Sequence, residues 1–169
     1  MLRCSPPGLN LWQVMVDKKK RVPHIQTQFA NRVPRPIEIL LAEDNEGDAR
    51  LIKEIVSRCS VAVRITVAED GEKAVAMLAD PHFKPDLIIT DMNMPKVAGP
   101  ELLKRSNANG IPVVVFSSST NPTDKAEALK LGARECIEKP IDLDEYTETL
   151  WKMIWKWAMS DLTFAAAEP

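Results

Sequence analysis

A doubly wound α/β fold, with a parallel sheet covered by helices on both faces, is what this sequence predicts. Two observations point to it. From Ile37 onward, short apolar runs alternate with segments of helical periodicity and no long gap intervenes. Four of those runs end on polar residues that could share one edge of the sheet.

The first run begins at Ile37 and closes on two adjacent acids, Glu43 and Asp44. It is too short for a helix and apolar enough to be buried on both sides, as a central parallel strand is. Leu51, Ile52, Ile55, Val56 and Cys59 then recur at helical spacing, with Glu46 and Asp48 in a first turn that favours negative charge. Residues 62–68 read as a second strand and residues 71–79 as a second helix. Asp86 to Asp91 is a strand ending on an acid, followed by a loop to Gly99 and a helix to Asn107. The run from Ile111 ends on Ser117, Ser118 and Ser119. Pro122 after Asn121 suits a helix start, and Gly132 suits its stop. A short fifth strand, Glu135 to Glu138, stops at Lys139-Pro140. Asp142 with Glu145 resembles a capping box opening a last helix that runs to about Met159. Five strand-helix units result.

Composition limits the function classes. The chain has 169 residues and 45% hydrophobic content, enough for one ordinary core. The expected organisation is a basic, flexible leader over residues 1–35, one domain over 36–159 and a tail over 160–169. Cys4, Cys59 and Cys136 are too scattered for a disulfide framework or a structural zinc site, so a reducing, cytoplasmic setting is expected. No apolar run approaches the roughly 20 residues that span a bilayer. Residues 1–36 carry seven Lys or Arg against one acid, Asp17, whereas the remainder is acidic, which argues against nucleic-acid binding by the domain.

The chemistry is concentrated at the strand ends. Glu43 and Asp44 repel each other unless a cation lies between them, and hard carboxylate oxygens suit Mg²⁺. A solvated acidic loop is the alternative for that pair taken alone. With Asp91, a hydroxyl and an ammonium added, the set fits phosphoryl transfer, which depends on positioning and charge neutralisation. Asp91 would be the nucleophile and form an aspartyl phosphate. Glu43 and Asp44 would hold Mg²⁺ with Asp91, Lys139 would pair with a phosphoryl oxygen, and Ser117 would donate to another.

The acid pair Glu43-Asp44, the segment from Asp91 to Pro95, Ser117 closing its strand and Lys139-Pro140 resemble, in this order, the receiver domain of bacterial response regulators. The likeness spans about Pro36 to Lys156. It implies a flavodoxin-like sheet of five parallel strands in the order 2-1-3-4-5 with five helices, phosphorylation of Asp91 by a histidine kinase with Mg²⁺, and a metal contact from the Asn93 backbone carbonyl. It also implies that Asn93 and Ser119 tune the phosphoryl lifetime and that the small Ser118 leaves the site open. Such a domain is a switch that promotes its own phosphorylation and dephosphorylation, not an enzyme with a diffusing substrate. A haloacid dehalogenase phosphatase resembles this layout but needs an acid where Asn93 stands.

Two departures qualify the likeness. The aromatic residue that receivers commonly carry three positions before the lysine is Cys136 here, and Ala98-Gly99 replaces the usual Asp-Gly pair. The last helix has one polar stripe and apolar residues nearly everywhere else, so Trp151 and Trp155 are expected to contact another copy of the chain or a partner, the alternative being that the leader or tail covers them. A homodimer through the last two helical elements, with no DNA-binding domain and no membrane attachment, is therefore expected. Residues Arg35 to Leu51, the tryptophan-bearing last helix and the lack of an output domain resemble stand-alone regulators partnered with bacteriophytochrome-type histidine kinases. The rival from another class is an interaction module with the same fold that works without phosphorylation.

Overall fold

The computed structural model describes residues 35–58, 62–92, 94, 99–119 and 121–159. Asn93, Cys59, Ala98, the leader before Arg35 and the tail after Met159 lie outside the described residues. Strands β1 (Ile37–Ala42), β2 (Val63–Ala68), β3 (Leu87–Thr90), β4 (Val113–Ser117) and β5 (Glu135–Glu138) form one parallel sheet in the order β2-β1-β3-β4-β5. Helices α1 (Glu46–Ser57), α2 (Gly71–Leu78), α3 (Gly99–Ala108), α4 (Pro122–Lys130) and α5 (Leu143–Ile154) alternate with them. The predicted fold class and strand order are observed, and the described residues hold the five predicted helices.

Burial explains the order. Every residue of β3 and β4 is buried, so these strands can only be central, while β2 and β5 keep partly exposed residues and form the edges. Side chains alternate across each strand. Ile37, Ile39 and Leu41 of β1 face a core built with Ile52, Ile55 and Val56 of α1 and Leu150, Met153 and Ile154 of α5. Leu40 and Ala42 face the opposite core, with Ala74 and Leu78 of α2, Leu102 of α3 and Ala128 of α4.

Helix starts follow their capping residues. Asn45 accepts from the Gly47 and Asp48 amides, Asp70 from Lys73, Asn121 from Thr123, and Asp142 from Asp144 and Glu145. At the opposite edge of the sheet, Asp86 joins the starts of β1 and β3. It accepts from the Glu38 amide at 2.9 Å and both guanidinium nitrogens of Arg35 at 2.8 and 2.6 Å.

The last helix differs from the expected single run to Met159. The α-helical geometry ends at Ile154 and a π-helical turn, Trp155–Met159, continues the chain. Lys156 Nζ and Trp157 Nε1 both donate to Glu135 Oε2 at 2.9 Å, which draws this turn toward the start of β5. Trp151, Trp155 and Trp157 are half-buried against the α1/α5 core. Among the described residues, the exposed large apolar side chains are instead Ile141, Leu143, Leu129 and Leu131, around the end of α4 and the start of α5.

Gly132 ends the turn after α4 with φ of +105°, a backbone region that side chains disfavour. A Cβ there would lie 1.8 Å from Asn107 Nδ2, the amide that donates to the Leu131 carbonyl and ties α3 to α4. Gly132→Ala is therefore expected to cost about 1–3 kcal/mol. Thermal or urea unfolding followed by circular dichroism measures it, and an unchanged midpoint would contradict the strain at this turn.

Candidate functional site

Parallel pairing brings the carboxyl ends of β1, β3, β4 and β5 to one edge, and the ladder continues one step past the strands. Glu43 N–H donates to the Ala68 carbonyl at 2.9 Å, Asp91 N–H to Ala42 at 3.0 Å and Lys139 N–H to Ser117 at 2.9 Å. The backbone of each site residue is thus fixed by the neighbouring strand.

The side chains converge on Lys139. Its ammonium contacts Glu43 Oε2 at 2.8 Å, Asp48 Oδ2 at 2.7 Å and Asp91 Oδ2 at 2.8 Å. The side chains of Glu43, Asp91 and Lys139 are 1%, 8% and 6% exposed, so solvent screens these pairs little. The other Asp91 oxygen, Oδ1, accepts from Ser117 Oγ at 2.6 Å. Asp91 is therefore held by a cation on one oxygen and a hydroxyl on the other.

Electrostatics follows from this packing. Burial alone would lower the Lys139 pKa, but the hydrogen bonds to Asp48, Asp91 and Glu43 outweigh it and hold the group above the ordinary lysine value. Burial raises the Glu43 pKa above the usual carboxylate value, and Lys139 only partly opposes it. Three carboxylates against one ammonium leave negative charge uncompensated, which favours a further cation. One oxygen each from Glu43, Asp48 and Asp91 lies within 4.8 Å of the others, and an all-oxygen donor set is suited to a hard divalent metal.

The predicted residues are not all brought together in the same way. Glu43, Asp91, Ser117 and Lys139 meet as expected. Asp44 is exposed and lies outside the trio of converging carboxylates; Asp48, from the first turn of α1, supplies the third. In the sequence, Asp48 has the ordinary explanation of a favourable charge at a helix start. Its place one turn into the helix that leaves the β1 end was the signal that could have found it. Ser118 is exposed, and Ser119 is half-buried, with its hydroxyl 3.5 Å from Asp124 Oδ2. Cys136 is half-buried, its thiol 3.8 Å from the Lys125 carbonyl, and burial pushes its pKa up, as for a packed rather than a reactive thiol.

Comparison with known proteins agrees with this geometry. The response regulator receiver domain family matches residues 39–150. The chain is 35% identical over 123 residues to the two-component response regulator ARR17 of Arabidopsis thaliana, covering 64% of this chain and 79% of that protein. It is 31% identical over 128 residues to the response regulator Rcp1 of Synechocystis sp., covering 70% and 84%. Against the regulator of RpoS of Escherichia coli it spans only 35% of the relative's length. Among solved structures, the phosphorylated cyanobacterial phytochrome response regulator RcpA superposes with a TM-score of 0.68 at 31% identity, over 75% of this chain and 96% of that one. The Mn²⁺-bound form of Rcp1 gives a TM-score of 0.65 at 28% identity, over 74% and 96%. No helix among the described residues is long and apolar enough to cross a membrane. Receiver domains bind a divalent metal, are typically phosphorylated on aspartate by a histidine kinase partner and act as switches, and this chain belongs to the response regulator receiver domain family.

Proposed function

We propose that the chain is a cytoplasmic response regulator that takes a phosphoryl group from a phytochrome-type histidine kinase onto Asp91, with Mg²⁺. The observation that carries this reading is the double grip on Asp91, by Ser117 at 2.6 Å on one oxygen and Lys139 at 2.8 Å on the other. The kinase type is supported by the likeness to RcpA, described as a cyanobacterial phytochrome response regulator. The receiver unit would be residues 36–159, flanked by the basic leader 1–35 and the tail 160–169.

The chemistry follows from the contacts. An Asp91 oxygen attacks phosphorus, the new O–P bond replaces the N–P bond of the phosphohistidine, and the imidazole leaves. Lys139, already beside Asp91, turns one N–H to a phosphoryl oxygen, and Ser117 shifts its donation from Asp91 to another. Both groups meet charge as it develops on the transferring phosphoryl. When bound, Mg²⁺ would neutralise the carboxylates and the phosphoryl oxygens together. Glu43 and Asp91 would hold it, with Asp48 a further oxygen donor; Asp44 and the Asn93 carbonyl would complete the set implied by the family.

Asn93, Ser118 and Ser119 are proposed to tune the phosphoryl lifetime. A homodimer through α4 and α5 would cover Leu129, Leu131, Ile141 and Leu143, which are exposed on this chain, with Trp151 and Trp155 at its margin. A phosphorylation-independent module is the competing reading, favoured by Cys136 at the position of the usual aromatic switch.

Three measurements test the proposal. Acetyl phosphate with Mg²⁺ is expected to give an acid-stable, base-labile adduct of one phosphoryl group that is lost in Asp91→Asn; an adduct of equal yield in that variant, or none in the wild type, would remove Asp91 from this role. Lys139→Ala is expected to lose about 3–5 kcal/mol without metal, because Glu43 and Asp91 stay buried without their cation. Mg²⁺ should recover more stability in that variant than in the wild type. A loss below about 1 kcal/mol would mean the pairs behave like surface ones. In analytical ultracentrifugation, the wild type is expected to sediment as a dimer at micromolar concentration and the double variant Ile141→Asp, Leu143→Asp as a monomer; a monomeric wild type would rule out the dimer.

A further inference from the structure

Lys139 has no N–H to spare. An ammonium carries three donors, and Glu43 Oε2, Asp48 Oδ2 and Asp91 Oδ2 accept from it at 2.8, 2.7 and 2.8 Å. The lysine side chain is 6% exposed, so bulk water takes little part in this arrangement. A phosphoryl oxygen that accepts from Lys139 must therefore take the place of one of these carboxylates.

The three are not equally free to yield. Glu43 and Asp91 side chains are 1% and 8% exposed, and either would be left as a buried charge without its cation. Asp48 is 38% exposed, so water can replace the ammonium at its carboxylate. Its place in the first turn of α1, where the helix favours negative charge, stabilises it further. The backbones differ as well: the Glu43 and Asp91 amides continue the sheet ladder, whereas the Asp48 amide is held by the Asn45 cap at 3.1 Å. Asp91 gives up its charge only once the O–P bond has formed, and the donor is needed earlier, as the phosphoryl group arrives.

We infer that Asp48 is a positioning residue that holds Lys139 in the resting site and is the partner this lysine gives up when a phosphoryl group arrives. The inference rests on the proposed phosphorylation of Asp91. At rest, Asp48 competes with the phosphoryl group for one N–H, so it sets the affinity of the site without touching the reacting atoms. The same contact ties α1 to the end of β5. Filling the site cuts that tie.

Beryllofluoride, which stands in for the phosphoryl group, tests this by calorimetry at saturating Mg²⁺. Asp48→Asn keeps the shape of the side chain and weakens the acceptor. It is expected to tighten beryllofluoride binding about fivefold, between what a surface ion pair and a charged hydrogen bond contribute. Glu46, exposed in the same turn, is not a partner of Lys139. Glu46→Gln is expected to change the affinity by under about twofold, because solvent and salt screen its charge. Equal tightening in both variants would mean general charge repulsion, and unchanged or weaker binding in Asp48→Asn would mean that Lys139 keeps this contact; either result overturns the inference. A structure of the wild-type complex with beryllofluoride and Mg²⁺ should show Lys139 Nζ bonded to fluorine and beyond hydrogen-bond distance of Asp48. A lysine still on Asp48 that has left Glu43 or Asp91 instead would equally refute it. These failures, with Asp91-dependent binding intact, leave the phosphorylation reading standing, whereas no Asp91-dependent beryllofluoride binding in the wild type would overturn both.

Discussion

One ammonium, that of Lys139, holds together three carboxylates from three different elements. Glu43 comes from the end of β1, Asp48 from the first turn of α1 and Asp91 from the end of β3. Parallel strand order forces these acids to one edge of the sheet, where burial would make their repulsion costly. Lys139 reaches them because β5 pairs with β4 and the ladder continues to the Ser117 carbonyl. The fold and the site are therefore mutually dependent: the sheet creates the crowding of charge, and the lysine that ends its last strand makes the crowding tolerable.

This arrangement also explains how a small chemical event can act at a distance. Every contact of Lys139 is with a group that a phosphoryl and a metal would compete for. Adding either redistributes a fixed number of N–H donors among more acceptors, so β1, α1, β3 and the loop into α5 feel the change together. Ser117 is bound to the same aspartate, and the ring of its neighbour Phe116 contacts Tyr146. Site and α5 are consequently joined through packed side chains, with no mobile lid required.

Much of this was legible in the sequence because the periodicities and capping residues agree with one another. The apolar runs gave the strands, Asn121-Pro122 and Asp142 open helices where the sequence places them, and the predicted strand order is observed. Glu43, Asp91, Ser117 and Lys139 could be selected because each ends a strand. Asp48 escaped because a first-turn acid on a helix has an ordinary local explanation, and only the packing of α1 turns it toward Lys139. Trp151 and Trp155 were expected at a contact with another molecule, whereas both are half-buried against the α1/α5 core. The π-helical turn had no sequence signal; it accompanies the convergence of Lys156 and Trp157 on Glu135, residues distant in the chain.

The central claim, that Lys139 is the cation on which three carboxylates depend, can be tested directly by following its side-chain ¹⁵Nζ and ¹³Cε resonances as pH is raised. A folded-state pKa above the ordinary lysine value of 10.5 means the ammonium stabilises the fold fully below that pH and loses its contribution as pH rises through the higher value. The result expected is no titration of Lys139 in the folded protein up to and beyond pH 10.5, the ordinary lysine value. A Lys139 that loses its proton at or below pH 10.5 in the folded protein would contradict the claim.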